Sequence, residues 1–189
     1  MWGVMAAREP SRAEIERAIT ELLRNEEIAT LATLASDGSP SASVMHIAAD
    51  GLRVYMHTFV RTRKYGEMLA NPKVSYAASH LPPGGYDERE LTHSLQVKGR
   101  ATLVTDRDEI EHAIQLSLGQ FPWAAGTNLF TNVKGPGEGQ QVFFRIDPDQ
   151  AVWADNRVRM MWRVIVNFHA DSSHITAVRP YHDAFAARR

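Results

Sequence analysis

The sequence predicts a mainly β protein of the α+β kind: six to eight antiparallel strands closed or nearly closed into a barrel, with two or three peripheral helices. Three observations carry this reading. Short apolar or alternating runs recur along most of the 189 residues, separated by turn signals such as Ser36-Asp37-Gly38-Ser39-Pro40 and Asp50-Gly51. Helical spacing of apolar residues appears in only three short stretches. A mostly antiparallel sheet of this size leaves unpaired edges unless it closes on itself, and closure is the economical solution.

Taken in order, Ser11 and Glu14 form a capping box, and Ile15, Ile19, Leu22 and Leu23 follow at helical spacing, which predicts an amphipathic helix over 11–25 lying on the sheet. A strand is expected over 28–35, a second over 41–49 and a third over 52–59, joined as an antiparallel meander whose second turn is Asp50-Gly51. A short helix follows, with Thr62 as its N-cap, Tyr65, Met68 and Leu69 on its apolar face, and Asn71-Pro72 as its stop. Strands are then expected over 74–79 and 94–104, separated by a loop containing Pro82-Pro83-Gly84-Gly85. Thr105 reads as the N-cap of a third helix, with Asp108 and Glu109 in its first turn and Ile110, Ala113, Ile114 and Ser117 along one side.

Residues 119–140 contain Pro122, Gly126, Gly135, Pro136, Gly137 and Gly139 and suit either an active-site flap or a dimer contact. Further strands are expected over 141–146, around Val152 and Trp153, over 160–168 and over 175–178. The whole is read as one domain over 1–189: a helix at 11–25, a barrel over about 28–168 and a C-terminal segment 169–189.

Composition narrows the function classes. A formal charge of −1 gives no global field for nucleic acid or an anionic membrane. The absence of cysteine excludes disulfides, thiolate metal sites and a cysteine nucleophile, and suits a reducing interior. With no apolar signal core and no apolar run long enough to span a bilayer, the expectation is a cytoplasmic protein without nucleic-acid or membrane partners.

Against that neutral background Arg61, Arg63 and Lys64 crowd the first turn of the second helix. A helix N-terminus already carries about half a positive charge and unpaired NH groups, so cations there are disfavoured unless an anion shares the site. The third helix obeys the dipole rule with Asp108 and Glu109, which makes the second one the exception. A strand ending in Thr58, a hydroxyl at Thr62 and a basic first turn together outline a phosphate site.

The segment Thr58-Phe59-Val60-Arg61-Thr62-Arg63-Lys64, the continuation through Asn71-Pro72, the run Gln96-Val97-Lys98-Gly99-Arg100-Ala101 and the pair Arg179-Pro180 resemble the FMN-binding split-barrel family of pyridoxamine 5'-phosphate oxidase-like proteins. The resemblance covers mainly 28–104. It implies that Thr62, Arg63 and Lys64, with Thr58, hold the flavin phosphate. It puts His57 beside the ring or ribityl chain, the backbone of Val44, Met45 and His46 along the isoalloxazine, and Gln96 or Ser94 facing the ring. It further implies a homodimer with the cofactor at its interface, a small-molecule substrate or electron donor, and a flavin-dependent oxidoreductase with no catalytic side chain assigned. Ser43 and Ala48 stand where the true oxidase carries an arginine and a lysine, and 153–162 lacks its substrate pattern, so pyridoxamine phosphate is not the expected substrate. An 8-hydroxy-5-deazaflavin reductase and a non-enzymatic flavin or haem carrier are the alternatives.

Other constellations carry less. The eight histidines show no helical i, i+4 pair and no local acidic partner, so no metal ligand set is predicted; His169 and His174 read as solvated residues flanking a turn. Gly135-Pro136-Gly137-Glu138-Gly139 lacks a framing strand and helix and reads as a flexible loop. No Gly-x-Ser-x-Gly occurs. Trp2 and Met5 read as packing or disordered residues, and Trp123, Trp153 and Trp162 as core or interface side chains.

Overall fold

The computed structural model describes residues 8–133 and 139–181. Trp2, Met5 and most of the glycine-rich run at 135–139 therefore lie outside the described residues. The described chain runs α1 (Arg12–Asn25), β1 (Ile28–Leu34), β2 (Pro40–His46), β3 (Ala48–Asp50), β4 (Arg53–Phe59), α2 (Arg63–Ala70), β5 (Lys73–His80), β6 (His93–Leu103), α3 (Arg107–Gln120), β7 (Gln141–Asp155), β8 (Arg163–Phe168) and β9 (Ile175–Pro180). Short 3-10 turns occupy Gly85–Leu91 and Pro122–Ala124.

All nine strands belong to one antiparallel sheet with the order β2-β1-β5-β6-β7-β4-β3, and β8 and β9 extend from β7. The two ends of that order, β2 and β3, are adjacent in sequence and separated only by Ile47. The chain itself therefore ties one edge of the sheet to the other, and the sheet must curl. Ile47 is fully buried and its NH donates to the Glu27 carbonyl at 3.0 Å, which fixes the crossing point.

This corrects the expected meander. The predicted second strand is two strands: β2 pairs with β1, β3 pairs with β4, and no β2–β4 ladder forms. The β3–β4 turn is real, with Asp50 paired to Arg53 across Gly51 and Leu52, and Gly51 adopts the positive φ of 63° that the turn requires. The two runs expected around 141–146 and Val152 are instead one fifteen-residue strand, β7. Pro148, between the two runs, sits where the β6–β7 register shifts between Lys98 and Gly99. A side chain at Gly99 would lie 2.4 Å from the Asp147 carbonyl oxygen, so the close approach at the bulge depends on glycine. The strand expected from 160 begins only at Arg163, because Met161 takes a left-handed conformation and its NH donates to the Asn156 side chain.

Two apolar layers result. Inside the barrel, Leu31, Val54, Met56, Tyr76, Val97, Phe144 and Trp153 form the main core. On it α1 lays the predicted Ile15, Ile19, Leu22 and Leu23, held by the Ser11–Glu14 capping box. On the outer face, Tyr55, Phe143 and Ala48 pack beneath Ile110 and Ala113 of α3 and beneath Phe121 and Ala124. The N-cap of α3 is Asp106 rather than Thr105; its carboxylate accepts from the Glu109 NH at 3.0 Å. Gln120 at the end of α3 ties the layers together, donating to the Leu23 and Glu26 carbonyls and accepting from the Ala49 NH.

Candidate cofactor site

Strand β4 delivers Thr58 and His57 to opposite faces of the sheet, and the chain then turns directly into α2. Thr58 is buried and its hydroxyl needs a partner, which it finds in the Thr62 hydroxyl at 3.0 Å. The Thr62 hydroxyl in turn donates to the Phe59 carbonyl at 2.8 Å, so Thr58 is the donor of the pair. The consequence is a departure from the sequence reading. Thr62 occupies the N-cap position but makes no capping hydrogen bond, and the first-turn NH groups of α2 have no side-chain acceptor among the described residues.

No acidic residue occupies that first turn. Arg61 and Arg63 are exposed, Lys64 is half-buried, and Arg61 lies over the Phe59 ring at 5.3 Å. The helix is locked in place from its other side by Glu67, whose carboxylate accepts from Thr33 at 2.6 Å and from Ser41 at 3.1 Å. Uncapped NH groups and cations with no acidic partner among the described residues therefore meet at one short turn, an arrangement suited to a phosphate dianion.

His57 and His46 meet on the outer face beside this turn, with ring centroids 6.4 Å apart and planes within 10°. Phe121 and Trp123 flank His46, and Phe130 and Phe143 flank His57. Burial, then the neighbouring His46 and Lys64, pushes the His57 pKa down to about 4, so the imidazole is neutral at pH 7. His46 Nδ1 is buried and lacks a hydrogen-bond partner among the described residues. An orphaned ring nitrogen next to an anion-ready helix start fits a polar planar group seated there.

The remaining expected residues divide. Val44 stands on the outer face beside His46 and is 72% exposed, whereas Met45 points into the core. Gln96 is exposed on β6, paired to Val152, while Thr58 is paired to Val142. Those rows are separated by roughly 30 Å of β7, so one chain does not bring Gln96, or Ser94 beside it, to the basic turn. The sequence reading missed the wall made by Phe121, Trp123 and Phe130. Its traces were the loop that suited either a flap or a dimer contact and Trp123, read as a core or interface side chain; the 3-10 turn at Pro122 is what aims Trp123 at His46. Two clefts, of about 780 and about 660 Å³, lie elsewhere, around Trp162 and Arg179 and around Lys73 and Lys98. Among the described residues no helix is long and apolar enough to cross a membrane.

A family model for pyridoxamine 5'-phosphate oxidase matches residues 15–152, which span the barrel and this site. The chain belongs to the pyridoxamine 5'-phosphate oxidase-like family. Solved structures of the same fold include a haem-binding protein from Mycobacterium smegmatis, with a TM-score of 0.65 and 18% identity over 85% of this chain and 59% of that one. They also include the conserved hypothetical protein Rv2991 from Mycobacterium tuberculosis, with a TM-score of 0.62 and 16% identity over 84% and 92% of the two chains. An FAD-binding protein from Mesorhizobium loti shows a TM-score of 0.53 and 24% identity over 71% and 90%. At these identities the likeness establishes the fold. The chain spans 59% of the length of the Mycobacterium smegmatis protein. No curated protein sequence matches significantly.

Proposed function

We propose that this chain binds FMN by its phosphate at the start of α2 and serves as a flavin-dependent oxidoreductase, with a second copy of the chain completing the site. The observation that carries the proposal is the uncapped first turn of α2, which carries Arg63 and Lys64 and no acidic residue and follows the Thr58–Thr62 pair. When bound, FMN supplies hydride or electron transfer, chemistry that no side chain here provides.

The residues have separable tasks in this reading. Arg63 and Lys64 neutralise the phosphate, and the α2 NH groups orient it. Neutral His57 offers a hydrogen bond to the ribityl chain or ring without adding charge, and His46 Nδ1 accepts or donates another. The backbone of β2 from Val44 to His46 runs beside the ring, and Trp123 and Phe130 keep water from the histidine pair. Exposed Val44, Phe59 and Trp123 give this face an apolar rim suited to a homodimer, and Gln96 or Ser94 would reach the ring only from the partner copy. Ser43 and the buried Ala48 supply no cation for a vitamin phosphate, which favours a different organic substrate or acceptor.

A haem-binding reading draws on one observation, the neutral His57 beside an unpartnered His46, because a neutral imidazole is an iron ligand. A deazaflavin would use the same basic turn. The visible spectrum of the purified protein, followed by mass spectrometry of the ligand released on denaturation, separates the three. FMN bands and an FMN mass are expected; a Soret band or a deazaflavin mass contradicts the assignment, as does a protein that neither releases nor takes up FMN.

A further inference from the structure

The hairpin between β8 and β9 gathers His169, Asp171 and His174 at its tip, on an element that the flavin reading does not use. One donor atom from each of the three lies within 4.8 Å of the others. His169 Nδ1 and Asp171 Oδ1 are 2.7 Å apart, and the two imidazole rings stack with centroids at 4.8 Å. The sequence reading had found no acidic partner for any histidine; Asp171, two residues beyond His169, is one.

The tip is held in this shape by contacts to the barrel. Its turn is closed by the His169 NH on the His174 carbonyl at 2.9 Å and the Ser172 NH on the His169 carbonyl at 2.8 Å. Ser172 is buried and takes a left-handed φ of 62°, a conformation that costs about 1 kcal/mol or more in a residue other than glycine. What offsets that strain is anchoring. The Ser172 hydroxyl donates to Asp147 at 3.2 Å, and Arg53, itself paired with Asp147, donates to the Asp171 carbonyl at 2.5 Å. Three metal-ligating side chains therefore project from a backbone that is fixed rather than free, which removes much of the ordering cost of capturing an ion.

We infer that the β8–β9 tip is a binding site for a divalent transition-metal ion such as Zn2+, with His169, Asp171 and His174 as its protein ligands. Two imidazoles and one carboxylate suit zinc, cobalt or nickel and leave further positions to water. Ligands at about 2.0 Å from a tetrahedral ion are about 3.3 Å apart, so the His169–Asp171 pair is already near that spacing. The exposed His174 ring swings to close the remainder, giving up its 2.8 Å hydrogen bond to the Ser173 hydroxyl. The site is at the opposite end of β4 from α2, beside Arg53, and the bound ion clamps the hairpin end to end.

The test is calorimetric titration of the untagged full chain with Zn2+, repeated with Co2+ to read its visible bands. One ion per chain is expected, with affinity reduced at least about tenfold in His169→Ala and in His174→Ala, and reduced in Asp171→Asn. Zn2+ is also expected to raise the melting temperature of the native chain and to leave that of the doubly substituted His169→Ala/His174→Ala chain unchanged. These side chains are exposed, and circular dichroism of each variant verifies that the fold is intact. No saturable binding by the native chain overturns the inference, as does equal binding by the double variant. A loss that follows His46→Ala or His57→Ala instead of the tip substitutions also overturns it.

Discussion

His57 is enclosed by Phe130, Phe143 and His46, and its pKa is pushed from the ordinary 6.5 to about 4, mainly by burial. As pH falls through 6.5 the unfolded chain takes up this proton while the folded chain does not until about 4, so the unfolded state binds more protons across that window. Stability therefore falls on acidification, by about 1–3 kcal/mol in all, and is unaffected by this group above the window. Replacing His57→Phe should flatten the acid limb of stability measured by urea denaturation, and parallel curves for the two proteins would contradict the assignment. Glu67 presents a second residue-level test. Its carboxylate is the shared acceptor for Thr33, which is buried, and for Ser41. Glu67→Ala should cost about 1–3 kcal/mol by leaving the Thr33 hydroxyl unpaired, read as a lower urea midpoint with unchanged slope.

Among the elements, α3 shows how local chemistry sets a boundary. Asp106 and Thr105 are both capable N-caps, and the structure selects Asp106, whose carboxylate reaches the Glu109 NH. Asp106→Ala should destabilise by about 1 kcal/mol, whereas Thr105→Ala should have little effect; the reverse order in thermal denaturation would restore the sequence reading. The capping box of α1, the Gly51 turn and the apolar face of α1 were legible because each rests on residues within one turn of each other. What was not legible depended on distant partners. The runs at 141–146 and around Val152 gave no sign that they join through Pro148 at a bulge opposite Gly99, and the single run 41–49 gave no sign that Ile47 would divide it between two edges. Thr62 was placed correctly, but its hydroxyl serves buried Thr58 instead of the helix, a demand that arises only once Thr58 is inside the barrel.

For the whole molecule, curling the sheet through Ile47 brings β2 beside β4, and with them His46 beside His57, while α3 and its 3-10 extension add Trp123 and Phe130. The basic half of the proposed site is a local feature of the sequence, from Thr58 to Lys64. The aromatic half could not, because its members come from distant parts of the chain. The same closure leaves Val44 and Trp123 exposed on one face and keeps Gln96 remote, so in the proposed assembly a second copy covers the first. Val44→Asp is expected to shift the protein from dimer to monomer in size-exclusion chromatography with light scattering and to weaken FMN binding along with it; an undisturbed dimer would place the interface elsewhere. The central claim remains the phosphate grip at α2. Titration of the apoprotein with FMN, followed by flavin fluorescence, tests it most directly: Arg63→Ala with Lys64→Ala should weaken binding by at least about tenfold through the loss of two charge-assisted contacts, and an unchanged affinity would contradict the account.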